Sequence, residues 1–282
     1  VARTDSAGVL GGATVLITGA ARGMGAIYAR KAADGGAAGI ALWDVDEKLA
    51  SELAAELARP GLRVEVFPVD VSKLDAIRAG VAATREKLGP VDILVNNAGI
   101  VRGVPFWQHD LERDIELTMR INTLGPMWLT REVLPDMMSD PTRPKRILNV
   151  ASAAGTLPNP NMSVYAASKW ALIGWSESIR LELSRMGHPH VKVTTFCPSY
   201  VSTGMFEGAR GPLLTPIMTP DQAASAAWNG MLRGTPMVLR PWTVKLAMAL
   251  RGLLPTRWWD GAAAKVFHVY SSMDAFVGRK ES

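Results

Sequence analysis

The stretch "ATVLITGAARGMG", residues 13 to 25, passes from a short β-rich run through a glycine turn into a helix-compatible segment. Glycine tolerates the tight turn this passage needs, and it lets backbone N–H groups approach a pyrophosphate at the positive end of the helix. The glycines fall at 19, 23 and 25. That is G-x-x-x-G-x-G rather than the G-x-G-x-x-G fingerprint, so an ordinary glycine turn is the plain alternative. The strand-turn-helix setting favours a phosphate site made by Gly19, Arg22, Gly23, Met24 and Gly25.

The same alternation continues along the chain. "GIALW" (39 to 43), "RVEVFPV" (63 to 69), "VDILV" (91 to 95), "RILNV" (146 to 150) and "VKVTTF" (191 to 196) are further β-rich runs. Helix-compatible segments such as "EKLASELAAELA" (47 to 58) and "KLDAIRAGVAATREKLG" (73 to 89) lie between them. Strands alternating with helices argue for a parallel sheet covered on both faces, which right-handed crossovers make a doubly wound, Rossmann-type α/β fold. The expectation is one domain over 1 to 282 with a mostly parallel sheet of about seven strands. Within it, 12 to 200 reads as cofactor-binding and catalytic core, 199 to 235 as substrate loop and helices, and 240 to 282 as an amphipathic extension. The Pro-rich "SDPTRPKR" (139 to 146) reads as a loop between a long helix and the next strand.

Hydrophobic residues make up 48% of the 282 and charged residues 20%, which allows a sizeable core. The single cysteine, Cys197, rules out an intramolecular disulfide and reads as a buried packing residue. The start "VARTDSAGVLGGATVLITG" lacks the features of a signal peptide, and no run of about 18 apolar residues occurs. A soluble, cytoplasmic protein is expected. The net charge of +5 raises the question of nucleic acid. No zinc-finger spacing, RNP-like aromatic strand or compact basic tract accompanies it, so no nucleic-acid partner is expected. His109, His188, His190 and His268 show no zinc-site spacing, so no metal is expected either, and His188-Pro-His190 reads as a surface turn.

About 20 residues beyond the glycine turn, the second strand ends in Asp44. A carboxylate there can accept hydrogen bonds from an adenosine ribose and repels a 2′-phosphate, which favours NAD over NADP. Arg22 pulls the other way, because a guanidinium in the turn could bind that phosphate. Asp44 could also cap the helix that follows, a role Asp46 would fill equally well.

Further on, "VYAASKWALIGW" (164 to 175) sets Tyr165 and Lys169 four apart. On a helix this puts their Cβ atoms roughly 5–6 Å apart on one face, which permits cooperation without demanding it. "NNAG" (96 to 99) follows the fourth strand, Asn122 lies in the next long helix, Ser152 ends the fifth strand, and Tyr165 comes thirteen residues after Ser152. Together with "TGAARGMG", these motifs in this order resemble the short-chain dehydrogenase/reductase family, over about residues 12 to 240.

By that resemblance Tyr165 is the general acid/base, Lys169 holds the nicotinamide ribose hydroxyls, Ser152 donates to the substrate oxygen, and Asn122 helps hold a water leading to Lys169. A free tyrosine ionises near pH 10, roughly three units too late, so its phenolate needs a positive neighbour, which Lys169 is expected to supply. Alcohol oxidation then pairs proton transfer to Tyr165 with hydride transfer to the nicotinamide, while Ser152 stabilises charge on the oxygen. The plainer roles are a loop cap for Ser152 and a polar residue in a mostly apolar helix for Asn122. The resemblance also places Asp70 and Val71 against the adenine, and Asn97, Ala98 and Gly99 beside the adenosine ribose. Pro198, Val201 and Thr203 fall near the nicotinamide carboxamide, although Ser199 stands where the family usually has glycine.

"CPSYVSTGMF" (197 to 206) and "MDAFVGRK" (273 to 280) are similar to the branch of the family that acts on retinol, steroids and other lipid alcohols. Val104, Ala154, Leu157, Tyr200, Met205 and Phe206 would surround the nicotinamide end with apolar surface, as small-molecule sites require. The expected substrate is a lipophilic secondary or long-chain alcohol, such as a hydroxy fatty acid, steroid or retinol-like molecule, or its ketone or aldehyde. An NADPH-dependent carbonyl reductase and a non-catalytic dinucleotide-binding protein are the alternatives. "RPWTVKLAMALRGLLPTRWW" (240 to 259) holds four basic residues, three tryptophans and no acid. It could lie on a membrane surface, or pack over the substrate cleft or against another subunit. A homo-oligomer, dimer or tetramer, built on helices around 110 to 138 and 163 to 187 is implied by resemblance only.

Overall fold

The β-rich runs form β1 (Thr14–Thr18), β2 (Gly39–Trp43), β3 (Arg63–Phe67), β4 (Ile93–Asn96), β5 (Lys145–Val150) and β6 (Val191–Pro198), and a further strand, β7 (Met237–Arg240), completes one sheet. The computed structural model describes residues 8–205, 215–265, 270, 272, 273 and 276. The strand order is β3-β2-β1-β4-β5-β6-β7, with every pair parallel. The order reverses between β1 and β4, and ligands of open α/β sheets bind at the carboxyl ends of strands where such a reversal occurs.

Side chains alternate across a strand, so each central strand feeds two cores. Val15, Ile17, Ile40, Leu42, Ile93 and Val95 join the core on one face, while Leu16, Ala41, Trp43 and Leu94 join the other. The first face is covered by α1 (Gly23–Asp34) and α2 (Glu47–Leu57), through Tyr28, Leu53 and Leu57 among others. On the second lie α3 (Leu74–Leu88), α4 (Gly125–Ser139) and α5 (Ser163–Arg185), which bury Ile77, Leu129, Val133 and Leu183. Burying a leucine or isoleucine stabilises by about 1.5–3 kcal/mol, which explains why these strands read as nearly unbroken apolar runs.

Back on the first face, α6 (Pro220–Arg233) opens with a capping box between Thr219 and Gln222 and ends at Gly234, whose φ of 66° suits glycine. Tyr28 stacks on Trp228 with ring centroids 5.9 Å apart, tying α1 to α6. Before α4 the chain makes two π-helical turns, Leu111–Glu116 and Arg120–Leu124, separated by a short α segment, Leu117–Met119. Asn122 sits in the second of these wide turns, a feature that recurs at functional sites.

The Pro-rich stretch is a loop only over residues 140 to 144, because Ser139 ends α4 and Lys145 and Arg146 already belong to β5. The 240 to 259 stretch likewise divides. Arg240 ends β7, α7 (Trp242–Leu253) follows, and Pro255 separates it from α8 (Thr256–Lys265). Arg251 Nη1 donates to the Thr156 carbonyl at 2.6 Å, and its guanidinium lies 4.8 Å from the centroid of the Trp170 ring, so α7 is docked beside the loop after β5. Trp242, Leu246, Leu253 and Trp258 remain exposed. No helix among the described residues is long and apolar enough to cross a membrane.

Candidate active site

The glycine turn owes its shape to backbone that side chains resist. Gly19 has φ 62° and Gly23 φ 57°, both left-handed. A Cβ on Gly19 would sit 3.0 Å from Ala98 Cα and 3.1 Å from Asn97 Nδ2, so the absent side chain is what lets the loop after β4 lie against the turn. That loop is held there by hydrogen bonds. Asn97 Nδ2 donates to the carbonyls of Thr18 and Gly19, and the N–H groups of Asn97 and Ala98 donate to Thr18 Oγ1, each at 3.0 Å. Gly25 departs from the expectation. It is buried beneath the turn, where a Cβ would overlap the Gly19 carbonyl oxygen, and it does not line the cleft. Its contribution is to let α1 pack against the turn.

The choice left open between Asp44 and Asp46 is resolved by geometry. Asp46 caps α2, its Oδ1 accepting from Leu49 N–H at 3.1 Å. Asp44 stays at the cleft, with Oδ2 accepting from Ala21 N–H at 2.9 Å and Oδ1 from Asp46 N–H at 3.0 Å. Arg22 is exposed and lines the same cleft. Burial alone would raise the Asp70 carboxyl, but hydrogen bonds from Ser72 and the nearby Lys73 ammonium hold it below the usual range.

A cleft of about 260 Å³ runs along the carboxyl ends of the central strands, from Asp44 and Asp70 to Tyr165 and Pro198. Gly19, Arg22, Gly23, Met24, Asp44, Asp70, Val71, Asn97, Ala98, Gly99, Tyr165, Lys169, Pro198, Val201 and Thr203 all line it. Trp43, Val45, Val69 and Ile100 line it as well and were missed. Their signal was position, since each flanks the end of a strand or one of the loops already singled out. An elongated cleft with a glycine cradle, a carboxylate after β2 and a lysine at the far end fits a nicotinamide dinucleotide.

At that far end α5 presents Tyr165, 4% exposed, and Lys169 one turn on. The Ser152 side chain lies beside the Tyr165 hydroxyl and favours its ionisation, and Ser152 Oγ accepts from Ala154 N–H at 3.1 Å. Ser152 is therefore both the loop cap and a neighbour of the tyrosine. Lys169 Nζ donates to the Val150 carbonyl at 2.8 Å and lies 5.8 Å from the centroid of the Tyr165 ring. Burial pulls the Lys169 ammonium down to about 8. Burial also pushes the Tyr165 phenol up to about 12, against the lowering effect of Ser152. In the protein alone, loss of water around the phenol outweighs the lowering by Ser152.

Asn122 does not line the cleft. Its Oδ1 accepts from Ile100 N–H at 2.9 Å, while Nδ2 donates to the Ile100 carbonyl at 2.9 Å and to Ser168 Oγ at 3.1 Å. It thus braces the loop after β4 against α5, one residue from Lys169. Gly99 gives it room, since a Cβ there would sit 3.2 Å from Asn122 Oδ1 and 3.6 Å from Lys169 Nζ.

Of the residues expected around the substrate, Ala154 and Tyr200 share an apolar cluster with Tyr165, whereas Met205 lines the cofactor cleft instead. Val104 and Leu157 are half-buried and belong to neither group. Phe206 lies outside the described residues, as do His268 and much of 273 to 280. Cys197 is buried, as a packing residue should be.

The family model described as short chain dehydrogenase matches residues 13–212. Estradiol 17-beta-dehydrogenase 11 of Rattus norvegicus is 31% identical over 270 residues, covering 96% of this chain and 88% of that protein. Short-chain dehydrogenase/reductase 3 of Homo sapiens is 33% identical over 271 residues, covering 94% and 86%. Among solved structures, a short chain dehydrogenase/reductase from Burkholderia phymatum in complex with NAD superposes with a TM-score of 0.78 at 25% identity, covering 86% of this chain and 94% of that one. A blue fluorescent protein from a metagenomic library, in complex with NADPH, gives 0.74 at 27% identity, covering 82% and 97%. With a glycine-cradled cleft lined at its far end by Ser152, Tyr165 and Lys169, and with these relatives, the chain belongs to the short-chain dehydrogenase family of nicotinamide-dinucleotide oxidoreductases.

Proposed function

We propose that the protein interconverts a lipophilic secondary or long-chain alcohol with its ketone or aldehyde, using NAD and Tyr165 as general acid/base. The observation that carries the reading is the grouping of Ser152, Tyr165 and Lys169 at one end of the cleft that the glycine turn and Asp44 line. When bound, the dinucleotide supplies a hydride acceptor or donor. Everything else falls to the chain. Tyr165 exchanges a proton with the substrate oxygen, and Ser152 stabilises charge on that oxygen. Lys169 holds the ribose hydroxyls, and Asn122 keeps the Ile100 loop and α5 in register. A phenol pushed up to about 12 is an acid at neutral pH, a state suited to protonating a carbonyl oxygen in the reductive direction.

Asp44 supports NAD. Arg22, exposed on the same cleft, favours the second reading, an NADPH-dependent carbonyl reductase. The apolar cluster around Tyr165 and the relatives named for estradiol support a lipophilic substrate. Exposed Trp242, Leu246, Leu253 and Trp258, with Lys245 and Arg257 beside them, support peripheral contact with anionic lipid, which flotation with anionic vesicles tests.

The deciding experiment follows reduced-cofactor absorbance with NAD and NADP in parallel, across secondary alcohols of increasing length, a steroid and a retinoid. NAD-linked activity that rises with substrate size is expected, and turnover confined to short polyols would reject the reading. Tyr165→Phe should lower kcat by about 10²–10⁴-fold or more while cofactor binding stays largely intact.

A further inference from the structure

The C-terminal segment reaches Tyr165 through Met273 and Phe276. Ser272 and Met273 are each 2% exposed. Ser272 Oγ lies 2.8 Å from the Tyr200 hydroxyl, and Asn159 Nδ2 donates to the Tyr200 hydroxyl at 3.1 Å and to Ser272 Oγ at 3.0 Å. This closed triangle joins three loops, with Asn159 and Ser272 separated by 113 residues in sequence. A buried serine hydroxyl costs free energy unless it is bonded, and the triangle supplies the bonds.

Beside the triangle, Met273 shares the cluster of Met162, Tyr165 and Tyr200, with Phe276 packed against it. Gly103 marks how close the segment comes: a Cβ there would overlap the Phe276 ring and sit 3.1 Å from Met273 Cε. We propose that Asn159, Tyr200 and Ser272 clasp the C-terminal segment so that Met273 and Phe276 form the wall of the substrate site beside Tyr165 and set the size of alcohol admitted. The inference rests on the alcohol dehydrogenase reading for its substrate, and on geometry alone for the clasp. Asn159 and Ser272 are positioning residues, whereas Met273 and Phe276 determine specificity. Methionine suits such a wall because its unbranched side chain adapts to irregular apolar shapes.

Two measurements test it. The first compares kcat/KM for a short and a bulky secondary alcohol in the wild type and in Met273→Ala. An apolar pocket discriminates by roughly 10–200-fold per methylene-sized change, so the bulky-to-short ratio should rise by at least about tenfold. An equal change for both alcohols overturns the wall. The second is independent of turnover and follows hydrogen exchange at the Phe276 amide, which donates to the Met273 carbonyl at 3.1 Å. Ser272→Ala should accelerate this exchange by about tenfold and Ser272→Thr should restore it, because only the first removes the hydroxyl. Unchanged exchange in Ser272→Ala overturns the clasp. A wild type that oxidises no alcohol rejects the reaction while the exchange experiment still decides the clasp.

Discussion

Replacing Lys145 by methionine should weaken the fold at the end of the sheet opposite the active site. Lys145 is 2% exposed, and its Nζ lies 2.7 Å from Asp92 Oδ1 and 2.8 Å from Asp140 Oδ2. Asp92 Oδ2 accepts from Thr14 N–H at 2.9 Å, so one ion pair ties the starts of β1, β4 and β5. Methionine keeps the apolar stem but strands a carboxylate in the interior. Breaking a buried pair in this way costs about 3–5 kcal/mol. Arg143 remains 3.8 Å from Asp92 Oδ2, and the bond from Thr14 persists, which places the expected loss near the lower end. Urea unfolding at fixed protein concentration should show a lower midpoint with an unchanged slope. Adding Asp92→Asn removes the stranded charge while keeping an acceptor for Thr14, so the double variant should be more stable than Lys145→Met alone. A loss below about 1 kcal/mol in the single variant would refute the reasoning. The pH dependence has a definite sign. Burial alone would lower the Lys145 ammonium, but its bonds to Asp140 and Asp92 outweigh this and raise it above the ordinary 10.5. The stability it brings is therefore present below pH 10.5 and lost as pH climbs through the raised value, a loss that Lys145→Met should not show.

Asp44→Ala should raise the ratio of NADP to NAD efficiency by at least about tenfold, and should also raise the KM for NAD because Ala21 N–H loses its acceptor; parallel initial-rate measurements with both cofactors check this, and an unchanged ratio would count against Asp44 as selector. Lys169 carries the opposite pH signature to Lys145. With its ammonium pulled to about 8 when folded against 10.5 when unfolded, the unfolded chain holds more protons between those values, so stability should rise with pH from about 8 to 10. The rise amounts to at most about 3 kcal/mol, and it should be absent from the melting temperatures of Lys169→Met.

Local backbone chemistry is legible in a sequence, and the elements that depend on it were readable. β1, β2, β4, β5 and β6 follow from short apolar runs, and the turn at Gly19 and Gly23 follows from residues able to adopt positive φ. Tyr165 and Lys169 share a helix face because four residues make about one turn. β7 was harder to find, being four residues long and only partly buried. Asp44 and Asp46 were equivalent as text, since either could cap a helix. They part because β2 delivers Asp44 to the cleft while Asp46 turns toward the first N–H groups of α2.

By itself, then, the sequence determined the doubly wound sheet and the glycine turn, because periodicity and turn geometry act within a few residues, whereas Ser152, Tyr165 and Lys169 stood out only through their resemblance to a family pattern. Only the tertiary structure decided that Gly25 lies beneath the turn and that Asn122 braces Ile100 and Ser168. It alone showed that Ser272 closes on Asn159 and Tyr200. Those outcomes depend on which distant groups exclude water from one another, and burial is a property of the packed chain rather than of any stretch within it.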